Sequence, residues 1–182
     1  MKYQLNTKMT DEDYYRFNIF MNFKSYYIKK QRVKSLTALG IMLLLFSAFV
    51  LFSSGFTQAA FVRIAIMAVF LVAWLALFPL ILRVVLKVRI RNQGKSGRLG
   101  YSPVAVMEFY DDCFVETTEK NKTENKYSAV DRISILNDEG VIYVHMGALI
   151  AHIVPFSTFE SKEQFEEFVE FIKTKSNNVD FY

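Results

Sequence analysis

Two long runs without an ionisable side chain constrain the fold of this chain more than any other feature. The first is residues 35–62 and the second is residues 64–82. A helix rises about 1.5 Å per residue, so about 20 residues cross a hydrocarbon core of about 30 Å. Neither run has the polar stripe typical of soluble helices. The pattern predicts a transmembrane hairpin over residues 34–90, with spans at about 36–53 and 64–82.

Basic side chains flank this hairpin on one side only. The flanking segments 24–34 and 83–98 carry eleven Lys and Arg residues, and the connection between the spans carries only Arg63. The positive-inside rule therefore predicts a multi-pass protein of the cell membrane with both termini in the cytoplasm. Anionic lipid head groups are candidate ligands of the flanking cations. The candidate contacts are Lys29, Lys30, Arg32, Lys34, Arg83, Lys87, Arg89 and Arg91.

Charge and composition exclude several classes of protein. Residues 1–98 carry 15 Lys/Arg and 3 Asp/Glu, whereas residues 99–182 carry 7 and 15, so the basic half belongs to the membrane region. Nucleic-acid binding is not predicted, because no motif supports it and the adjoining half is acidic. One cysteine excludes an internal disulfide, and 52% apolar residues exclude a disordered chain. The spans hold no ionisable residue, which indicates an anchor rather than a transporter or channel.

The segment before the hairpin, residues 1–33, is predicted to hold a strand and an aromatic-rich amphipathic helix. Polar and apolar side chains alternate from Lys2 to Met9, as in a strand, and Thr10 has the position of a helix N-cap. We expect the strand to join the C-terminal sheet, because a lone strand would leave its backbone groups unpaired. The helix is interpreted as packing on the cytoplasmic domain or continuing into the first span. An interfacial helix in the head-group layer is the alternative.

After a predicted linker at residues 91–100, residues 101–176 have the pattern of a cytoplasmic β domain with a C-terminal helix. Predicted strands start near Val104, Cys113 and Tyr127, residues 119–125 and 137–140 read as turns, and residues 177–182 as a tail. A hairpin is predicted across Gly147-Ala148. It places Ile142, Val144, Met146, Leu149, Ala151 and Ile153 on a core face, and Tyr143, His145, Ile150 and His152 on the other face.

Pro155 is predicted to end the sheet, and Ser161 with Gln164 forms a capping box for the last helix. The apolar face of that helix is Phe165, Phe168, Val169 and Ile172, and its glutamates are assigned to a solvated face. The predicted class is an α+β membrane protein. It joins a two-helix transmembrane hairpin to a cytoplasmic antiparallel sheet, or partial barrel, closed by a C-terminal helix.

Several local patterns resemble those of the YcxB-like membrane proteins of bacteria. The resemblance covers nearly the whole chain, and its elements are apolar spacings and turns. They are Leu5-x-x-x-Met9-Thr10-x-x-Asp13-Tyr14, the paired spans, Phe109-Tyr110-Asp111-Asp112, Tyr127–Ile133, Val141–Val144, Ile153-Val154-Pro155 with Phe159, and a Phe-rich last helix. The resemblance implies a C-terminal domain similar to pleckstrin-homology-like (PH-like) folds. It implies no activity and no catalytic residues.

No constellation in the sequence predicts catalysis, a cofactor or a metal. Asp111 and Asp112 are interpreted as turn residues, because adjacent side chains on a tight turn point apart. His145 and His152 are interpreted as surface histidines and Cys113 as a structural thiol. No phosphate-binding loop, dinucleotide loop, nucleophile elbow or zincin motif occurs.

Two functions remain open at this level. The first is a non-enzymatic, membrane-anchored cytoplasmic binding module whose partners are the lipid bilayer and an unidentified protein. The second is an accessory subunit of a membrane transporter or membrane enzyme that docks through the hairpin, whose small residues include Ala68 and Ala76. A homo-oligomer is a further option in either case.

Overall fold

The structure is a computed structural model that describes residues 1–148 and 150–182, and its elements form two compact units. Residues 1–17 and 96–182 make the β domain, and residues 18–95 make the helical unit. The helices are α1 (Asp11–Phe23), α2 (Tyr26–Ser54), α3 (Gln58–Ser96) and α4 (Lys162–Lys173). The strands are β1 (Tyr3–Lys8), β2 (Val104–Phe109), β3 (Cys113–Thr118), β4 (Lys122–Lys126), β5 (Arg132–Leu136), β6 (Val141–His145), β7 (Ala151–Pro155) and β8 (Val179–Phe181).

The helical unit contains the two apolar runs. Among the described residues, α2 and α3 are the helices long and apolar enough to cross a membrane, with 29 and 39 residues. Almost none of their most apolar stretches is buried, and Pro79 lies inside α3. The prediction of two long apolar helices is confirmed.

The N-terminal helix does not run without interruption into α2. It ends at Phe23, and Ser25 takes an extended conformation before α2 begins at Tyr26. The Ser25 hydroxyl accepts a hydrogen bond from the Ile28 N–H at 3.3 Å and donates to the Met21 carbonyl at 2.9 Å. A serine N-cap satisfies a free N–H at the start of a helix. Ser25 therefore starts α2 at a position that the spacing of apolar residues does not indicate. The part of α1 up to Phe17 packs on the β domain, where Phe17 lies 5.2 Å from Tyr143.

Most of the linker predicted at residues 91–100 is helical. Helix α3 continues to Ser96 and ends at Gly97, whose φ of +66° is the left-handed conformation common just beyond a helix end. Arg91, Asn92 and Gln93 carry no helix breaker, and Gly94 alone does not stop a long helix.

Two four-stranded sheets make up the β domain, in the orders β1-β2-β3-β4 and β7-β6-β5-β8. The N-terminal strand joins the first sheet as expected, because β1 pairs antiparallel with β2 from Tyr3↔Phe109 to Lys8↔Val104. Both ends of the chain therefore build one domain, and the helical unit is inserted between them.

Two strands lie where the sequence predicted a turn and a tail. Residues 122–126, predicted mostly as a turn, form the edge strand β4 beside β3. Its charged side chains are typical of edge strands, where they prevent pairing with other chains. Residues 179–181 form β8, which pairs parallel to β5. A third difference lies at Tyr127–Ala129, which form a 3₁₀ turn before β5 rather than part of a strand.

One hydrophobic core holds both sheets and α4 together. Its members from the sheets include Leu5, Met107, Phe109, Phe114, Ile133, Ile135, Ile142, Val144 and Val154. Helix α4 adds the four residues predicted for its apolar face, Phe165, Phe168, Val169 and Ile172. Ser161 caps this helix, since its hydroxyl accepts from the Gln164 N–H at 3.2 Å. The predicted strands followed by an amphipathic helix are confirmed for β2, β3, β5, β6, β7 and α4, and β8 is added after the helix.

The β6–β7 hairpin forms one residue out of the predicted register. A two-residue turn at Gly147-Ala148 would place His145 opposite Ile150, whereas the structure pairs His145 with Ala151 and Val144 with His152. A slip of one residue moves a strand's side chains to the opposite face. Ile153 therefore lies opposite Tyr143, and the two histidines occupy different faces. Leu149, assigned to the core face, lies outside the described residues.

Candidate functional site

An open groove of about 1000 Å³ runs along α4 in the β domain. Its apolar lining includes Phe156, Phe165 and Val169. The charged part of the lining is five carboxylates and one ammonium group: Asp138, Glu163, Glu166, Glu167, Glu170 and Lys162. We call this surface the acidic groove.

The spacing of residues in α4 produces both the floor and the rim of the groove. Glu163, Glu166, Glu167 and Glu170 recur at the three- and four-residue spacing of one helix face and are exposed. Lys162 lies 3.4 Å from Glu166, and Lys173 lies 2.8 Å from Glu170, so both pairs are ion pairs open to water. A backbone N–H and the Ser161 hydroxyl lower the pKa of Glu163, which favours its ionised form. The rim is therefore anionic at neutral pH.

The turn between β5 and β6 contributes Asn137, Asp138 and Gly140 to the groove. Gly140 has a φ of +59°, a conformation that costs little only for glycine. Its carbonyl accepts a hydrogen bond from the Phe156 N–H at 2.6 Å. A Cβ at this position would lie 2.9 Å from the Phe156 Cβ. Gly140 thus lets the turn approach the aromatic floor of the groove.

Replacing Gly140 by alanine is expected to destabilise the β domain by about 2–3 kcal/mol, because it adds a steric clash to the left-handed conformation. Gly97→Ala is the matched control, since Gly97 has the same sign of φ with nothing within 4 Å of the added Cβ. It should cost about 1 kcal/mol. Urea titration of both variants in mild detergent measures the difference, and equal losses would contradict the clash.

The eight cations predicted to contact lipid head groups lie in α2 and α3 and are all exposed. Four are near the start of α2: Lys29, Lys30, Arg32 and Lys34. The other four belong to the last part of α3: Arg83, Lys87, Arg89 and Arg91. The Arg83 guanidinium lies 5.5 Å from the centre of the Phe23 ring, a cation–π contact within the helical unit. We call these eight residues the basic belt.

His145 is fully buried, which corrects its assignment to the surface. Its Nε2 lies 3.0 Å from the Ser134 hydroxyl, a buried hydrogen bond between β6 and β5. Desolvation, with a smaller contribution from the nearby Arg132 cation, lowers the pKa of His145 to about 4. The ring is therefore neutral at pH 7. All of β6 is buried on both of its faces, so period-two alternation along it could not identify a solvent-exposed face.

His152 lies apart from His145 and pairs with an acid of the other sheet. Its Nδ1 is 3.1 Å from a Glu116 carboxylate oxygen, and its ring lies edge-on to Phe114 at 4.9 Å. Both of these side chains are mostly buried, so the surface assignment of His152 is also wrong. The one-residue shift in register turns His152 toward β3.

The other candidate residues, Asp111, Asp112 and Cys113, lie in and beside the turn between β2 and β3. Asp111 and Asp112 are exposed in the turn between β2 and β3, and Asp111 lies 3.7 Å from the Lys2 ammonium group. Partial burial and the neighbouring Glu124 raise the pKa of the Cys113 thiol, which disfavours the reactive thiolate. Across the described ranges, no group of three or more His, Cys, Asp or Glu side chains could hold a metal ion.

The sequence predicts the groove residues only as a solvated glutamate face and a turn. The signal available was the glutamate spacing in α4, which also occurs on helices with no binding role. Only the fold brings residues 137–140, which precede that face by more than 20 residues, and Phe156 to its side.

Comparison of the chain with models of protein families, with curated proteins and with solved structures finds no match.

Proposed function

We propose that this chain is a membrane-anchored binding module. In this proposal residues 34–90 cross the cell membrane twice, both termini are cytoplasmic, and the β domain binds a protein partner through the acidic groove. The observation that carries the proposal is the groove itself, which combines an aromatic floor with five carboxylates. Such a lining is suited to holding an amphipathic, cationic segment. The lowered pKa of Glu163 favours charge attraction over proton donation.

Three observations support the membrane and family parts of the proposal. The two apolar helices leave large side chains such as Phe49 and Phe70 exposed, which is costly in water and favourable in lipid. The cations of the basic belt flank the spans on the side that the positive-inside rule assigns to the cytoplasm. Two sheets around one core with a C-terminal helix resemble a PH-like arrangement, as a YcxB-like protein would have.

Topology can be tested by labelling intact cells with a membrane-impermeant maleimide, in a Cys113→Ser background. We expect Ser54→Cys, at the end of α2, to label from outside, and Lys120→Cys, between β3 and β4, to label only after lysis. Both positions are part-exposed or exposed in the structure. Labelling of Lys120→Cys in intact cells would contradict cytoplasmic termini.

The binding role of the groove is tested with the full chain in its own membranes. After extraction in mild detergent, the native chain should retain a protein partner that Glu166→Gln with Glu167→Gln loses. The control is Asp112→Asn with Glu119→Gln, which removes two exposed carboxylates that do not line the groove. Equal recovery of the partner by both double variants would overturn the assignment to the groove.

A second function, that of an accessory subunit docking through the hairpin, is favoured by a separate feature. An apolar cleft of about 290 Å³ is lined by α2 and α3 side chains that include Leu43, Phe46 and Phe70. A transmembrane helix of a partner could pack against this surface. Leu43→Trp or Leu71→Trp, at two positions that line this cleft, should then remove the complex while leaving insertion intact, and an unchanged complex would exclude this role.

A further inference from the structure

The chemistry of the acidic groove specifies its occupant closely. The apolar floor requires a segment with its own apolar side chains, and the carboxylate rim requires several cations with few acids. An open groove beside a helix accommodates another helix, which presents such a pattern on one face.

One segment of this chain has that pattern. Residues 83–98 contain six Lys or Arg residues and no Asp or Glu. Helix α3 continues through this segment to Ser96. Val84 and Val88 are 63% and 53% exposed, although they lie beyond the predicted end of the span at Leu82. The segment therefore carries apolar surface that the helical unit does not cover.

Helical spacing places these apolar and basic residues together. Val84, Val88, Arg91 and Lys95 recur at the three- and four-residue spacing of one face. All four are exposed, whereas Leu86 and Ile90, on the opposite side of the helix, are 8% and 5% exposed. The exposed face thus offers two valines followed by two cations. It matches the aromatic floor and acidic rim of the groove in both polarity and sign of charge.

We propose that the acidic groove of one copy of this chain binds the exposed α3 face of a second copy. This inference rests on the proposed function, because it takes the groove as a binding surface and names its partner. Each copy carries both surfaces, so a two-fold pair forms two equivalent contacts. In the proposed topology, anchoring in one bilayer confines neighbouring copies to the same plane, which raises their effective concentration.

The test is a charge swap in vesicles of phosphatidylcholine, which carry no net charge and so do not compete for the α3 cations. Two differently tagged full-length copies, both in a Cys113→Ser background, carry Glu170→Cys in one and Val88→Cys in the other. We expect a disulfide between the two tags under mild oxidation. Glu166→Lys with Glu167→Lys in the first copy should reduce its yield at least tenfold, as should Arg91→Glu with Lys95→Glu in the second.

Mixing the two charge-reversed copies should restore the disulfide, because the reversed groove then faces a reversed helix. Loss of yield without restoration, an insensitive yield, or no disulfide between copies would each overturn the inference. A protein captured from native membranes through Glu166 and Glu167, without a contact between copies, would overturn it and leave the proposed function standing. If neither a captured protein nor a contact between copies depends on the groove, both proposals fail.

Discussion

Replacing Phe168 by alanine is expected to reduce the unfolding free energy of the β domain by about 3–5 kcal/mol. The side chain is fully buried at the centre of an aromatic cluster. Its ring lies 4.8 Å from Phe109 and 5.3 Å from both Tyr3 and Phe159. Removing the ring leaves a cavity between the first sheet and α4. The neighbouring rings are already closely packed, so they can fill this cavity only in part.

The unfolding free energy can be measured on the full chain in mild detergent. Urea is titrated, and unfolding is followed by the amide hydrogen exchange of β6 in the second sheet. Phe181→Ala is the control, since the Phe181 side chain is 53% exposed, and we expect its loss to stay below about 1 kcal/mol. Similar losses for the two variants would show that α4 does not close the core as described.

Acidification from pH 7 to pH 4 is expected to remove roughly 3 kcal/mol of stability through His145 alone. Burial lowers the pKa of His145 from about 6.5 to about 4 in the folded chain. Between these values the unfolded chain binds a proton that the folded chain does not. Protonation therefore favours unfolding as the pH falls through this window, and the contribution is absent above pH 6.5.

The variant His145→Gln isolates this effect, because glutamine is neutral at every pH of the window and can still hydrogen-bond to Ser134. Its unfolding free energy should vary less between pH 7 and pH 4 than that of the native chain. His152→Gln is the control that removes a histidine while leaving His145 in place. An unchanged pH dependence in His145→Gln would show that His145 binds protons alike in the folded and unfolded chains, and would contradict the lowered pKa.

The β domain contains residues from both sides of the helical unit, namely 1–17 and 96–182. Leu5 of β1 is 2% exposed and belongs to the main core, so residues 1–17 are part of the domain although the whole helical unit separates them from it in sequence. A fragment starting near residue 99 would lack β1 and would expose the core around Met107. Binding experiments on this protein therefore need the full chain.

Features set by neighbouring residues were predictable from the sequence. The two apolar helices follow from long charge-free runs, and α4 follows from a cap at Ser161 and apolar residues at helical spacing. The turn at residues 137–140 follows from its Asn, Asp and Gly. In each case the signal and the structure it specifies lie within the same few residues.

Only the tertiary structure decided the features that join distant parts of the chain. The strand β8 exists because three residues near the C-terminus pair with β5, and its sequence carries no periodic signal of that length. The burial of His145 arises because β6 lies between β5 and β7, where its ring meets the Ser134 hydroxyl of β5. The acidic groove needs α4 and the β5–β6 turn side by side. Backbone pairing and close packing between separate segments create these features, so a local pattern could not reveal them.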